Sequence, residues 1–250
     1  MLKTFVLNLD RSRDRMDAMR KAFRYDRLDR VSAIDGRYWE SGDYAKTGQP
    51  LFKPETKQQL IDASVVSDKT CEDYIITPGE AAMCLGYKKI WQKIIDEDLP
   101  AAIVLEDDIQ PCGNALDKPL SECFTMPDDA DAMLLTGPDK LFDIEGIHVP
   151  FTALTIEHHV MVAFGSCAYA ITNAGARKAL EAVTPLRYHL ARQWWITAFK
   201  NTKMYVNGLT KKDNAGFLYG VPSALVEHSE NAKKSDVTAS GGKPWRVLSA

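Results

Sequence analysis

The chain has 250 residues, of which 45% are hydrophobic and 26% are charged. This composition is typical of a globular protein and excludes a fibrous or intrinsically disordered chain. The 31 Lys and Arg residues are balanced by 34 Asp and Glu residues, and the net charge of -3 provides no overall positive field to attract nucleic acid. A chain of this length can form a single α/β domain, which is the organisation we expect.

The cysteines and the apolar segments indicate the cellular compartment of the protein. The five cysteines are odd in number and form no C-x-x-C pair, which argues against a disulfide framework and a cysteine zinc site. The first apolar run is too short for a signal peptide. The longest uncharged stretch, residues 160–176, falls below the roughly 20 apolar residues that a membrane span requires. We therefore expect a cytoplasmic protein without a transmembrane segment.

The first predicted elements form a βαβ unit. Residues 3–9 predict a buried strand, and a helix is expected after the capping residue Ser12. A second strand is predicted at 28–34, and it ends in the turn pair Asp35-Gly36.

The middle of the chain combines a loop with a clear helix signal. Residues 37–76 have weak periodicity and predict a long loop, with at most a short helix near 55–63. A helix is then predicted from Thr77, because a capping box with Glu80 coincides with a proline at the first helical position. Further strands are expected at 132–136, 149–156, 167–171 and 203–207, and further helices at 114–123, 173–183 and 189–200. This order predicts an α/β protein with some antiparallel additions.

Three acids follow an apolar run. Residues 100–105 are typical of a central parallel strand, and Glu106, Asp107 and Asp108 come directly after it. Ligands of open α/β sheets bind at the carboxyl ends of strands, and carboxylate oxygens suit Mg²⁺ or Mn²⁺. If the strand continues through these acids, the alternation of side chains points Glu106 and Asp108 to one side and Asp107 to the other. The sequence thus indicates a metal site, and the alternative is acids that cap a helix or lie in solvent.

A metal ion at such a cluster favours one kind of reaction. It can neutralise a diphosphate leaving group, as transfer from a nucleotide sugar requires. The sequence contains neither G-x-x-x-x-G-K-[ST] nor G-x-G-x-x-G, which disfavours a P-loop NTPase and a dinucleotide enzyme.

Several segments, in order along nearly the whole chain, resemble glycosyltransferase family 25, the lipopolysaccharide and collagen-type galactosyltransferase group. The segments are 5–16, 31–36, 79–80 with 89–91, and 103–108, followed more weakly by 168–176 and 222–228. The resemblance implies a single-domain GT-A-like (Rossmann-like) fold with a mainly parallel central sheet over residues 1–228. The C-terminal segment, residues 229–250, is polar and contains Lys233-Lys234 and Gly241-Gly242, so its composition predicts a mobile segment that we expect to close over the donor as a lid.

The resemblance also implies an activity and a set of site residues. The activity is a metal-dependent, inverting transfer of a hexose from a nucleotide sugar, here a UDP-sugar, to a hydroxyl acceptor, a saccharide. The donor-binding residues would be Asn8, Leu9, Arg15, Asp35, Gly36 and Glu80, with Lys233 and Ser235 from the C-terminal segment. The ligands of Mn²⁺ or Mg²⁺ would be Glu106, Asp107, Asp108 and His228. Candidates for the base that deprotonates the acceptor are His189, Asp139 and Glu157, the last with His158.

Two departures from the family leave the acceptor open. Gly86-Tyr87 replaces the family's Ser-His pair, and Arg187 stands where the family has an aspartate. One alternative is a glycosyltransferase that acts on a modified nucleic-acid base. Its basic face would be formed by Lys211, Lys212, Lys233, Lys234 and Arg246. The other alternative is a non-catalytic module that binds nucleotide sugars.

Overall fold

Helices and strands alternate along the chain. The computed structural model describes residues 1–69, 74–126, 130–135, 143–144, 147–148, 152–154, 167–187, 190, 193, 204–206, 218–219 and 225–229. The helices are α1 (Arg13–Ala22), α2 (Pro54–Asp62), α3 (Pro78–Asp96) and α4 (Asn173–Ala182). The strands are β1 (Lys3–Leu9), β2 (Leu28–Ala33), β3 (Glu40–Tyr44), β4 (Pro50–Phe52), β5 (Ala101–Glu106), β6 (Ile109–Pro111), β7 (Ala132–Leu134), β8 (Asp143–Ile144), β9 (Ile147–His148), β10 (Thr152–Leu154), β11 (Ala168–Thr172), β12 (Met204–Val206), β13 (Leu218–Tyr219) and β14 (Val226–His228).

A six-stranded sheet forms the centre of the described part of the chain, in the order β12-β7-β11-β5-β1-β2. All of its strands run in one direction except β11, which is antiparallel to both β5 and β7. This mainly parallel sheet confirms the α/β prediction. Because β1, β2 and β5 are parallel neighbours, their carboxyl ends meet at one edge, here named the carboxyl edge: the ends of these strands with residues 10–12, 34–36 and 107–108.

Helices cover both faces of the sheet. On one face, α3 and α4 share a core with Leu7 of β1 and Val104 of β5. The neighbouring residues along each strand point away from α3 and α4, because side chains alternate along a strand. On the opposite face, Met16 and Met19 of α1 share a second core with Leu105. Alternate residues of β1 and β5 therefore belong to different cores, which fixes the side of the sheet that each residue at the carboxyl edge faces.

The start of α3 was correctly predicted. Oγ1 of Thr77 accepts a hydrogen bond from the backbone N–H of Glu80 at 3.2 Å, and Oε2 of Glu80 accepts one from the backbone N–H of Thr77 at 3.0 Å. This reciprocal capping box satisfies two backbone donors that the first helical turn leaves open. The apolar face that continues from it is completely buried at Cys84, Tyr87 and Trp91.

The prediction of a long loop over residues 37–76 was wrong in part. Helix α2 lies where a short helix was allowed, but β3 and β4 form an antiparallel hairpin before it. The register of the hairpin shifts between Glu40 and Tyr44, so the regular alternation that identifies a strand is lost. Gly42 and Gly48 adopt φ values of +90° and +80°, which glycine tolerates at a bulge and a turn.

The predicted helix at 114–123 was also wrong. The segment instead forms two short 3-10 helices, Gly113–Leu116 and Leu120–Glu122. Pro119 lies between them, and proline inside a helix removes a backbone donor and clashes with the preceding turn. The strands expected at 132–136, 149–156, 167–171 and 203–207 are present as the shorter or shifted β7, β10, β11 and β12. Most of the helix expected at 189–200 lies outside the described residues.

Candidate active site at the carboxyl edge

The carboxyl edge brings together residues that are far apart in the sequence. Strand pairing places Leu7 opposite Glu106 and Asn8 opposite Ser32. The predicted site residues that lie at or beside this edge are Asn8, Leu9, Arg15, Asp35, Gly36, Glu106, Asp107 and Asp108. This is the end of the sheet at which ligands of open α/β folds bind.

The acids of the cluster face different sides of the sheet. Glu106 accepts a hydrogen bond through Oε1 from the hydroxyl of Tyr87, which belongs to α3. Asp107 faces α1, where its Oδ1 accepts a hydrogen bond from Nη1 of Arg15 at 3.1 Å. Glu106 and Asp107 thus face different sides, but β5 ends at Glu106, so the predicted strand alternation does not continue to Asp108. No helix follows the cluster, since β6 begins at Ile109, so helix capping does not explain the acids.

Asn8 connects the three neighbouring strands. Its side chain is 1% exposed, and its Nδ2 donates to Oδ2 of Asp107 at 2.7 Å and to the backbone oxygen of Ser12 at 2.8 Å. Its Oδ1 accepts from Nε of Arg30, on β2, at 2.7 Å. Arg30 also forms an ion pair with Asp10 just after β1. These contacts hold the ends of β1, β2 and β5 in fixed positions.

Asp35 forms a second polar centre beyond β2. Its carboxylate accepts hydrogen bonds from Nη2 of Arg37 at 2.7 Å and from Nε of Arg11 at 2.8 Å. Arg37, followed by Arg11, holds the pKa of the Asp35 carboxyl well below its usual value of 3.8. The next residue, Gly36, packs so closely on α3 that an added Cβ would lie 2.6 Å from the backbone oxygen of Pro78. Asp35 therefore remains ionised at neutral pH on a rigid part of the edge.

Asp108 lies where the C-terminal part of the chain meets the carboxyl edge. Asp108 is 6% exposed. Its backbone oxygen accepts two hydrogen bonds from Ser229, one from the backbone N–H at 2.8 Å and one from the side-chain Oγ at 2.9 Å. Strand β14 pairs antiparallel with β6, which places His228 opposite Ile109, one residue after Asp108. Sequence reasoning did not predict this pairing, because both strands have three residues and show no usable periodicity.

The donor atoms at this edge are chemically suited to a hard divalent ion. Carboxylate oxygen is the preferred ligand of Mg²⁺ and Mn²⁺, and Asp108 supplies a buried carboxylate next to the position of His228. Among the side chains that the structure describes, no group of three His, Cys, Asp or Glu residues is already arranged to hold a metal ion. Glu106 and Asp107 form their hydrogen bonds on different sides of the sheet.

Several other predicted residues have a defined structural setting. Glu80 is 5% exposed, and its carboxylate caps α3 and accepts a hydrogen bond from Tyr74, so its role in donor binding stays a prediction. At the positions where the family's Ser-His pair is missing, Gly86 packs on Leu7 of β1 and Tyr87 reaches Glu106. Arg187 is exposed, after the end of α4.

The remaining predicted residues lie outside the described part of the chain. They are the candidate bases Asp139, Glu157 and His189, the C-terminal residues Lys233 and Ser235, and the residues of the basic face, Lys211, Lys212, Lys233, Lys234 and Arg246. Their roles stay predictions. For His228, the strand that carries it is described, and its function as a ligand stays a prediction too.

Arg11, Arg30 and Arg37 are site residues that the sequence did not single out. One signal was available for Arg30, since a predicted strand that reads Leu-Asp-Arg-Val-Ser contains polar residues that need partners. The partners themselves follow only from the pairing of β1 with β2, which places Arg30 close to Asn8 and Asp10.

Comparison with known proteins identifies the family. A family model described as "Glycosyltransferase family 25 (LPS biosynthesis protein)" matches residues 1–194, which include β1 to β11 and α1 to α4. A search of curated proteins finds no match. In the described part of the chain, no helix combines the length and apolar character needed to cross a bilayer. Since the match covers most of the chain and includes the carboxyl edge, the chain belongs to glycosyltransferase family 25 and is a glycosyltransferase.

Proposed function

We propose that the enzyme transfers a hexose from a UDP-sugar to a hydroxyl group of a saccharide, with inversion at the anomeric carbon and with Mn²⁺ or Mg²⁺ at the carboxyl edge. The observation that carries the proposal is the junction of Asn8, Arg15 and Asp107, which joins β1, α1 and β5 beside Asp108. Membership of a transferase family favours this function over a non-catalytic module. The family description names lipopolysaccharide biosynthesis, which supports a saccharide acceptor.

The proposed metal ligands are Glu106, Asp108 and His228. Glu106 is the last residue of β5 and Asp108 lies in the turn that follows it, and the pairing of β14 with β6 places His228 opposite Ile109, one residue after Asp108. Both oxygens of Asp107 are engaged by Asn8 and Arg15, which supports a role in fixing the turn that carries the ligands. When bound, the ion would stabilise the negative charge of the leaving diphosphate.

The arginines of the carboxyl edge would supply the remaining positive charge. Arg15 is 14% exposed at its side chain, and a guanidinium held in this way can bind a phosphate through two parallel hydrogen bonds. Arg11 and Arg37 stand around Asp35, beside the predicted nucleotide pocket. Asn8, Leu9, Asp35 and Gly36 would then contact the nucleoside and ribose portions of the donor.

The C-terminal residues and the acceptor base complete the proposal. Ser229 is hydrogen-bonded to Asp108, so the segment 229–250 starts at the proposed metal site. This supports Lys233 and Ser235 as donor contacts within a lid. A base must take the proton of the attacking hydroxyl. We propose that one of His189, Asp139 and Glu157 has this role, and single alanine variants should identify it through lost turnover with retained donor binding.

The test combines donor binding with a matched pair of variants. The purified protein is titrated with UDP- and GDP-sugars in a calorimeter, with and without Mn²⁺, and turnover is followed as release of the nucleoside diphosphate. Asp108→Asn should abolish Mn²⁺-dependent binding and turnover. The control is Asp131→Asn, which alters another buried aspartate. Asp131 pairs with Lys178 at 2.7 Å and directly precedes β7, so it lies at the amino ends of the parallel strands, opposite the carboxyl edge. Mn²⁺-independent donor binding, or equal losses in both variants, would contradict the metal site.

A further inference from the structure

Tyr87 lies beneath the carboxyl edge on α3. Its side chain is completely buried, and its hydroxyl donates a hydrogen bond to Oε1 of Glu106, the last residue of β5. A tyrosine hydroxyl buried this deeply requires an acceptor, and a carboxylate provides a stronger one than a neutral group. The contact therefore holds one oxygen of the first acid in the cluster.

Two further aromatic rings hold Tyr87 in place. Its ring stacks on Trp91 with centroids 5.7 Å apart and meets Tyr169 of β11 edge to face at 6.0 Å. Nε1 of Trp91 donates a hydrogen bond to the hydroxyl of Tyr169 at 2.9 Å, and both of these residues are completely buried. A ring packed in this way has little room for a second rotamer. The direction of the Tyr87 hydroxyl is thus set by the core rather than by solvent.

We propose that Tyr87 is a positioning residue that holds Glu106 in the orientation required at the metal and diphosphate site. The inference rests on the proposed metal-dependent function. A partly exposed glutamate at the end of a strand has several rotamers, and fixing one of them on binding costs conformational entropy. Because the aromatic core fixes the Tyr87 hydroxyl, the side-chain entropy of Glu106 is lost during folding rather than during donor binding. The site is then preorganised before the donor arrives.

The test observes Glu106 directly. Protein labelled with ¹³C at the glutamate carboxyl carbons is studied by NMR at one pH, and Glu106→Gln assigns the resonance of Glu106. Tyr87→Phe removes the hydroxyl and keeps the ring, so the Glu106 resonance should move. The control is Asp131→Asn, which alters a buried aspartate that pairs with Lys178 just before β7, away from Glu106, and it should leave that resonance in place.

The same variants are titrated with Mn²⁺ and a UDP-sugar. Loss of an orienting partner typically reduces metal affinity by about 10- to 100-fold, which is the loss expected for Tyr87→Phe, whereas Asp131→Asn should remain close to wild type. An unmoved Glu106 resonance, or equal affinity losses in both variants, would overturn the positioning role. A wild-type Glu106 resonance that paramagnetic Mn²⁺ leaves sharp would instead contradict the proposed metal site, so the two failures are distinguishable.

Discussion

The side-chain amide of Asn8 donates a hydrogen bond to Oδ2 of Asp107 at 2.7 Å and thereby ties the end of β1 to the turn that follows β5. The two residues are 99 positions apart in the sequence. Because Asn8 is almost completely buried, this hydrogen bond is shielded from competition with water. The acidic turn is therefore held by the sheet itself, and its position depends on the residue at the end of the neighbouring strand.

Asn8→Ala should destabilise the protein and weaken donor binding together. The variant removes two donated hydrogen bonds and leaves Nε of Arg30 without the Asn8 acceptor. We expect the free energy of unfolding to fall by about 2 to 4 kcal/mol, measured by urea denaturation. Asn8→Asp should be at least as damaging, because it places a second carboxylate against Asp107. A loss within about 0.5 kcal/mol for both variants would show that Asn8 does not hold the turn.

Arg15→Ala should lower both the affinity for the donor and the free energy of unfolding. Arg15 pairs with Asp107 on the partly buried side of α1, so its removal should lower the free energy of unfolding by about 2 kcal/mol. It would also remove one positive charge from the proposed diphosphate site. Arg20→Ala is the control on the same helix. Arg20 is 57% exposed and pairs with Asp17 at the surface, which is worth about 0.5 kcal/mol or less. Calorimetric titration with a UDP-sugar should separate the two variants, and equal affinities would exclude Arg15 from the donor site.

The regular elements of the fold could be predicted because their signals are local. Strands β1 and β5 are apolar runs of the right length, and the capping box of Thr77 identifies the start of α3. The hairpin of β3 and β4 was missed because a register shift removes the alternation of its side chains. The helix expected near 114–123 was wrong because Pro119 interrupts it. Local propensity fails where backbone irregularities decide the structure.

From the sequence alone, only the acids of the candidate site and the residues implied by the family resemblance could be predicted. Glu106, Asp107 and Asp108 are adjacent in sequence, so their cluster is visible without a structure. The contact of Ser229 with Asp108 spans 121 positions and involves two strands of three residues each, which give no sequence signal. Tyr87 belongs to the buried apolar face of α3, and periodicity does not show that its hydroxyl reaches Glu106.

Asp35 should make the stability of the protein depend on pH at the acid end. Arg37 and Arg11 lower the pKa of Asp35 in the folded state, so the unfolded state binds the proton more readily. The contribution is therefore fully present above the unfolded value near pH 4, and it is lost progressively as the pH falls from there through the lower pKa of the folded state. Asp35→Asn should lower the unfolding free energy by about 1 kcal/mol at pH 7 and by a clearly smaller amount near pH 2. Urea denaturation across this range checks the prediction, and an equal loss at both pH values would contradict it.

Gly36→Ala should disturb the junction between the carboxyl edge and α3. A Cβ at this position would lie 2.6 Å from the oxygen of Pro78 and 2.9 Å from Cα of Gly79, so backbone would have to move. Overpacking of this kind typically costs 1 to 3 kcal/mol, and we expect about 2 kcal/mol in urea denaturation together with weaker UDP-sugar binding.

Gly86→Ala is the matched control for that steric effect. Its Cβ would meet the terminal methyl groups of Leu7 at 2.8 and 2.9 Å, and a side chain can adjust where backbone cannot. Alanine also favours the interior of α3 over glycine by about 1 kcal/mol, which offsets part of the repacking cost. Gly86→Ala should therefore lose clearly less stability than Gly36→Ala. The reverse order would mean that the Leu7 contact, rather than the approach of Gly36 to Pro78, sets the distance between α3 and the sheet.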